Sequence, residues 1–123
     1  DFASILNNLR GSRGLEDVTY DSRLDAAAEK YAIEQASISG LSHTGQDGST
    51  VYDRIVAEGY NPRGWAENLA KGQQGQAEVL QAWINSPGHN RNLNADLDNF
   101  ALGVAGSGSN LSWVLLLATE SGN

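Results

Sequence analysis

The 123-residue sequence contains no cysteine, no methionine, only two prolines and few basic side chains, eight against fifteen acidic ones. Without cysteine there is no disulfide framework and no thiolate metal site, so redox chemistry does not indicate a compartment. The formal net charge of −7 repels phosphate backbones and anionic lipid surfaces, so we expect no nucleic acid partner. Because methionine is missing, the sequence does not start at an initiator residue, and we expect a secreted protein whose signal peptide has been removed.

Long apolar runs are also missing. The longest, residues 114–118, is far too short to cross a bilayer, so we expect no stable membrane insertion. A chain of this length fits one domain, residues 1–123, and buries roughly two thirds of the surface that the unfolded chain exposes. We expect a single monomeric domain that folds without disulfides.

Apolar residues at helical spacing predict four helices, each bounded by capping or glycine residues. The most regular is the second, in which small and apolar side chains share one face and charged side chains lie elsewhere. The predicted ranges are residues 1–9, 22–38, 51–56 and 77–84, with the last helix ending near Asn85 or Ser86 ahead of Pro87.

Two apolar segments near the carboxyl terminus predict strands. Residues 100–105 and 111–118 flank five residues rich in glycine and serine, which is typical of a β-hairpin. The second segment is apolar almost throughout, so we expect a central strand covered on both faces. Residues 65–70 are short enough for a strand or an irregular extended segment. Helices followed by strands indicate an α+β domain whose helices cover a sheet.

The two histidines, His43 and His89, both fall on predicted loops, and Glu67 lies between them in an apolar segment. Two imidazoles and a carboxylate are three ligands of a common zinc pattern, which leaves a fourth position for water. The same groups could instead perform acid–base catalysis if the carboxylate is buried. The alternative is that each is a solvated loop residue or an internal hydrogen-bonding group.

The order of several motifs resembles the CAP superfamily, which groups cysteine-rich secretory proteins, antigen five and plant pathogenesis-related proteins. The chain looks most like the short bacterial secreted members with an SCP-like domain. The matching residues are 41–44, Asp53-Arg54, Gly59-Tyr60, 66–70, Trp83, 86–89, Asn92-Leu93, Gly103-Val104 and the strand around Trp113. Where many eukaryotic members carry a second cleft glutamate after the tryptophan, this chain has Asn85 and Ser86.

The resemblance implies a three-layer α-β-α sandwich with a central antiparallel sheet, an extracellular location and a shallow cleft. By position, His43 and His89 match the two cleft histidines of the family, and Glu67 matches its cleft acid. Our first hypothesis is a cleft that binds a divalent metal, zinc, through His43 and His89, with Glu67 as a further ligand or as a base. These three residues are also the candidates for any catalysis.

Two other functions stay open at this stage, since CAP proteins have been credited with different activities. One is a non-enzymatic module that binds an apolar ligand, a lipid or a peptide. The other, ranked lower, is a hydrolase of peptides or cell-wall material. The sequence does not distinguish an enzyme from a binding protein.

Overall fold

The computed structural model describes residues 1–122. These 122 residues form five helices, four strands and one short 3₁₀ turn. The helices are α1 (Phe2–Ser12), α2 (Ser22–Ala36), α3 (Val51–Ala57), α4 (Gln76–Ile84) and α5 (Pro87–Leu93). The strands are β1 (Thr19–Tyr20), β2 (Pro62–Lys71), β3 (Asn99–Ala105) and β4 (Ser112–Glu120), and the turn, Gly108–Asn110, joins β3 to β4.

The four strands form one sheet in the order β1-β3-β4-β2. The three long strands are antiparallel, with β4 between β3 and β2, whereas the two-residue β1 runs parallel to β3. This arrangement confirms the predicted hairpin and the central position of β4. It also makes β2 an edge strand, which leaves one side of its backbone facing away from the sheet.

Strand β4 has a core on each face because successive side chains of a strand point in opposite directions. Trp113, Leu115 and Leu117 pack with residues of α1, α4 and α5. Val114, Leu116 and Ala118 pack with residues of α2 and α3. The predicted α-β-α sandwich is therefore confirmed, with helices covering both faces of the sheet.

Helix α2 approaches the sheet closely at Gly103. A Cβ atom at this position would collide with the carbonyl oxygen of Ala28 in α2, and with the backbone that follows it. Only glycine lets the helix axis come this close to β3. The close approach fixes the layer from which part of the candidate site is built.

One local prediction was wrong. His89 does not lie on a loop, because the chain turns directly from α4 into α5 and His89 is the third residue of that helix. Pro87 begins α5 as well as ending α4, since the first turn of a helix has no use for an amide donor and tolerates proline.

Candidate functional site

The side chains of Glu67 and Asn68, which are neighbours on β2, point to opposite helical layers. Glu67 points to the layer of α2 and α3, the face on which Leu69 is buried, and its side chain is only 2% exposed. Asn68 points to the layer of α5, where its amide donates to the carbonyl oxygen of His89 at 3.1 Å. Because β2 is an edge strand, the two layers meet around its open side, and the candidate site forms there.

Both carboxylate oxygens of Glu67 have a partner. Nδ1 of His43 lies 2.7 Å from Oε1, and an Nη2 hydrogen of Arg54 is donated to Oε2 at 3.0 Å. A carboxylate buried among apolar side chains is stable only when it is paired and hydrogen-bonded. Since the carboxylate only accepts, Nδ1 of His43 carries the proton of this bond and Nε2 of the neutral ring keeps a lone pair.

Arg54 is placed by α3, whose first turn is closed by a reciprocal capping box between Thr50 and Asp53. Its guanidinium stacks on the ring of Tyr31 from α2, with 3.5 Å between Cζ and the ring centroid. The Tyr31 hydroxyl in turn donates to the carbonyl oxygen of Ser42, next to His43. The sequence pattern did not indicate that Arg54 belongs to the site. The signal in the sequence was the apolar setting of Glu67, because a buried carboxylate needs a cationic or hydrogen-bonding partner.

The two histidines have opposite electrostatic environments. The hydrogen bond that His43 donates to Glu67 raises the pKa of His43, although partial burial and the charge of Arg54 oppose this. Burial lowers the pKa of His89, and the nearby charge of His43 lowers it further. The side chain of His43 is 59% exposed, so its ring is accessible from solvent. The site therefore combines one imidazole whose pKa is raised with one whose pKa is lowered.

A set of hydrogen bonds attaches the helix pair α4 and α5 to the open side of β2. The indole of Trp83 donates to the carbonyl oxygen of Leu69 at 3.0 Å. The amide of Asn92 donates to Oδ1 of Asn68 at 2.9 Å and to the carbonyl oxygen of Glu67 at 3.3 Å. The bonds to Leu69 and Glu67 use backbone carbonyl oxygens that an edge strand leaves free. They hold His89 beside the strand that carries Glu67.

A cavity of about 430 Å³ lies next to His89. Leu41, Leu69 and Trp83 contribute apolar surface, while Lys71 and Ser86 add polar groups. His89 thus borders this cavity, whose lining is mainly apolar.

The structure brings His43 and Glu67 into direct contact and places His89 near enough for the charge of His43 to affect its pKa. Within residues 1–122, no three histidine, aspartate or glutamate side chains are grouped to hold a metal ion. Within the same range, no hydrogen bond involves Nε2 of His43 or the ring nitrogens of His89. The assignment of these residues to metal binding stays a prediction.

Residues 3–117 match the cysteine-rich secretory protein family, CAP, and the chain belongs to this family. The resemblance seen in the sequence motifs is confirmed, although this member has no cysteine. The Bacillus subtilis protein YkwD, described as uncharacterized, is 29% identical over 106 residues, which are 85% of this chain and 41% of YkwD. The chain therefore spans less than half the length of that relative.

Solved structures share the fold. An outer surface protein from Borrelia burgdorferi is 27% identical, with a TM-score of 0.87 over 97% of this chain and 90% of that one. An extracellular protein from Bacillus anthracis that contains an SCP domain is 22% identical, with a TM-score of 0.85 over 97% of this chain and 39% of that one. Within residues 1–122, every helix is too short or too polar to traverse a lipid bilayer.

Proposed function

We propose that this CAP domain binds a divalent metal ion, zinc in the first instance, through Nε2 of His43 and the imidazole of His89. The observation that supports it is the 2.7 Å contact between Nδ1 of His43 and Glu67. A metal-binding histidine typically donates a hydrogen bond from the N–H of its second ring nitrogen to a carboxylate. This bond fixes the ring and leaves the other nitrogen free for the metal. Burial lowers the pKa of His89, which favours the neutral ring that a metal ligand requires.

Glu67 fits this site as the group that orients His43, and it does not fit as a third ligand. One of its oxygens faces His43, and the other accepts from the permanently charged Arg54. A metal ion bound to that carboxylate would lie beside the guanidinium, which repels it. Two imidazoles leave the remaining coordination positions to water or to a bound molecule, and zinc would acidify a water held there.

Calorimetric titration of zinc into the chelator-treated protein tests the proposal. We expect one zinc per chain for the unmodified protein and no binding heat for the His43→Ala, His89→Ala double variant. Each single variant should bind more weakly than the unmodified protein, because one imidazole is left. Equal heats in the unmodified protein and the double variant would reject the metal site.

A second function is favoured by the cavity of about 430 Å³ beside His89. Its apolar lining suits a non-enzymatic module that binds a lipid or the apolar side chain of a peptide. Replacing the exposed Leu41 by glutamate should then reduce the recovery of such ligands in a lipid-exchange or peptide pull-down assay. Recovery no higher than background with the unmodified protein would exclude this function.

We also propose that the protein acts outside the cytoplasm. The similar proteins from Borrelia burgdorferi and Bacillus anthracis are described as an outer surface protein and an extracellular protein, which supports this location. Cell fractionation with an antibody against the chain tests it. Exclusive recovery in the cytosolic fraction would contradict it.

A further inference from the structure

Arg54 connects every part of the His43 side of the site. Its Nη1 group donates to the carbonyl oxygen of Ser49 at 3.0 Å. Its Nη2 group donates to the carbonyl oxygen of His43 and to Oε2 of Glu67, each at 3.0 Å. The guanidinium also stacks on the ring of Tyr31. One side chain from α3 therefore contacts the loop after α2, the edge strand β2 and the buried ring of Tyr31 in α2.

These contacts constrain both ends of the hydrogen bond between His43 and Glu67. The bond to the carbonyl oxygen of His43 fixes the backbone from which the imidazole projects. The bond to Oε2 fixes the carboxylate so that Oε1 faces Nδ1. With the side chain of Arg54 only 13% exposed, water has little opportunity to replace these bonds.

We propose that Arg54 is the positioning residue that holds His43 in the tautomer with its proton on Nδ1. The planar guanidinium, with its donors at fixed angles, can bridge a carbonyl and a carboxylate while it stacks on an aromatic ring. This role adds to the proposed metal site the residue that orients one of its ligands. It rests on the proposed function only in that Nε2 of His43 is taken as a metal ligand. The orientation of His43 itself requires no metal.

The role also explains why a carboxylate at the centre of the site is not free to react. Arg54 occupies the oxygen that would otherwise bind a metal ion or accept a proton from a substrate. Glu67 then acts through His43, and the accessible basic atom of the pair is Nε2 of the imidazole.

Long-range ¹H–¹⁵N correlation spectra of the metal-free protein, recorded above the pKa of His43, read the tautomer directly. In the unmodified protein we expect the proton on Nδ1. In the Arg54→Gln variant the carboxylate of Glu67 remains but is no longer held in place by the guanidinium, and the backbone of His43 loses its bond to Arg54. We therefore expect a mixture in which the tautomer protonated on Nε2 is populated beside the Nδ1 form. The Arg54→Lys variant keeps the positive charge but lacks the planar set of donors of a guanidinium. It should therefore retain part of the Nδ1 form.

Arg63→Gln is the matched control. Arg63 is exposed and lies on the same strand, about 13 Å before Glu67 at the rise of an extended chain, and its substitution removes the same charge. The control spectrum should match that of the unmodified protein. If Arg54→Gln does not fold, the Arg54→Lys spectrum decides in its place: an unchanged Nδ1 tautomer in the folded variant would overturn the positioning role.

Zinc titrations of the same proteins separate this inference from the metal site. Loss of a residue that orients a metal ligand typically weakens metal binding 10- to 100-fold, and we expect a loss in about that range for Arg54→Gln. If the unmodified protein binds no zinc, the metal site is rejected, whereas the tautomer spectra still test Arg54. A tighter zinc complex in Arg54→Gln would mean that Arg54 opposes the metal and would overturn the positioning role.

Discussion

Replacement of Arg54 by methionine should be among the most destabilising single changes in this domain. Methionine has a similar length but no charge and no donor, so the carboxylate of Glu67 keeps only its bond to His43. The carbonyl oxygen of His43 loses this donor at the same time, and the carbonyl oxygen of Ser49 keeps only the backbone amide of Gly45 as a donor. Because the side chain of Glu67 is almost fully buried, water does not readily replace the lost partner.

Breaking a buried ion pair by removing one partner costs about 3–5 kcal/mol. A domain of this length has a free energy of unfolding of about 6–18 kcal/mol, so we expect Arg54→Met to fold with a greatly reduced stability. Urea unfolding followed by circular dichroism at pH 7 measures the change. Arg63→Met is the control. Arg63 is exposed on β2, the strand that carries Glu67, and its replacement should change the free energy of unfolding by no more than about 0.5 kcal/mol.

A double-mutant cycle shows whether the loss comes from the pair. Arg54→Met combined with Glu67→Gln leaves no buried charge at this place, so the double variant should be more stable than the sum of the single effects predicts. We expect a coupling energy of at least about 1 kcal/mol, within the usual range for residues in contact. A loss below about 1 kcal/mol for Arg54→Met, or additive effects in the cycle, would refute the pairing.

Three further changes test other parts of the structure. Glu67 raises the pKa of His43, so their pairing stabilises the fold fully below the ordinary pKa of 6.5 and loses its effect as the pH rises through the raised pKa. Glu67→Gln should lower the pKa of His43 in an NMR titration. It should also remove the contribution of this pair to the pH dependence of the free energy of unfolding. Gly103→Ala should cost about 1–3 kcal/mol because of its collision with α2, whereas Gly88→Ala, which meets no neighbouring atom, should be neutral or stabilising by up to about 1 kcal/mol in urea unfolding. Trp83→Phe should cost about 1–3 kcal/mol in the same assay, because it leaves a buried carbonyl oxygen of β2 without its donor.

Each of these three predictions would be contradicted by a specific outcome. An unchanged pKa of His43 in Glu67→Gln would mean that the contact between the two side chains does not form in solution. Equal stabilities of Gly103→Ala and Gly88→Ala would mean that α2 does not lie close against β3. An unchanged stability of Trp83→Phe would mean that the hydrogen bond of the indole does not help to hold α4 against β2.

The layers of the fold follow from the sequence because burial produces regular patterns. The small and apolar face of α2, and the unbroken apolar run of β4, are sufficient to predict helices that cover both faces of a sheet. The two-residue β1 is too short to have a pattern, and only its pairing with β3 defines it. Helix α5 has a single buried residue, Leu93, so helical periodicity could not indicate it.

The site was predicted in part. His43, His89 and Glu67 were singled out because histidines are few and a carboxylate among apolar residues needs a partner. Which partner it has depends on the packing of α3 against β2, and local sequence does not encode that contact. Arg54 was therefore missed, although it is the cation that Glu67 requires.

Zinc titration of the ¹⁵N-labelled protein, followed through the imidazole nitrogens of both histidines, tests the central proposal most directly. We expect the signals of Nε2 of His43 and of one ring nitrogen of His89 to change together and to reach their end point at one zinc per chain. Nδ1 of His43 should keep its proton, and its hydrogen bond to Glu67, throughout. Signals that stay unchanged, or that change for only one of the two rings, would contradict a metal site shared by His43 and His89.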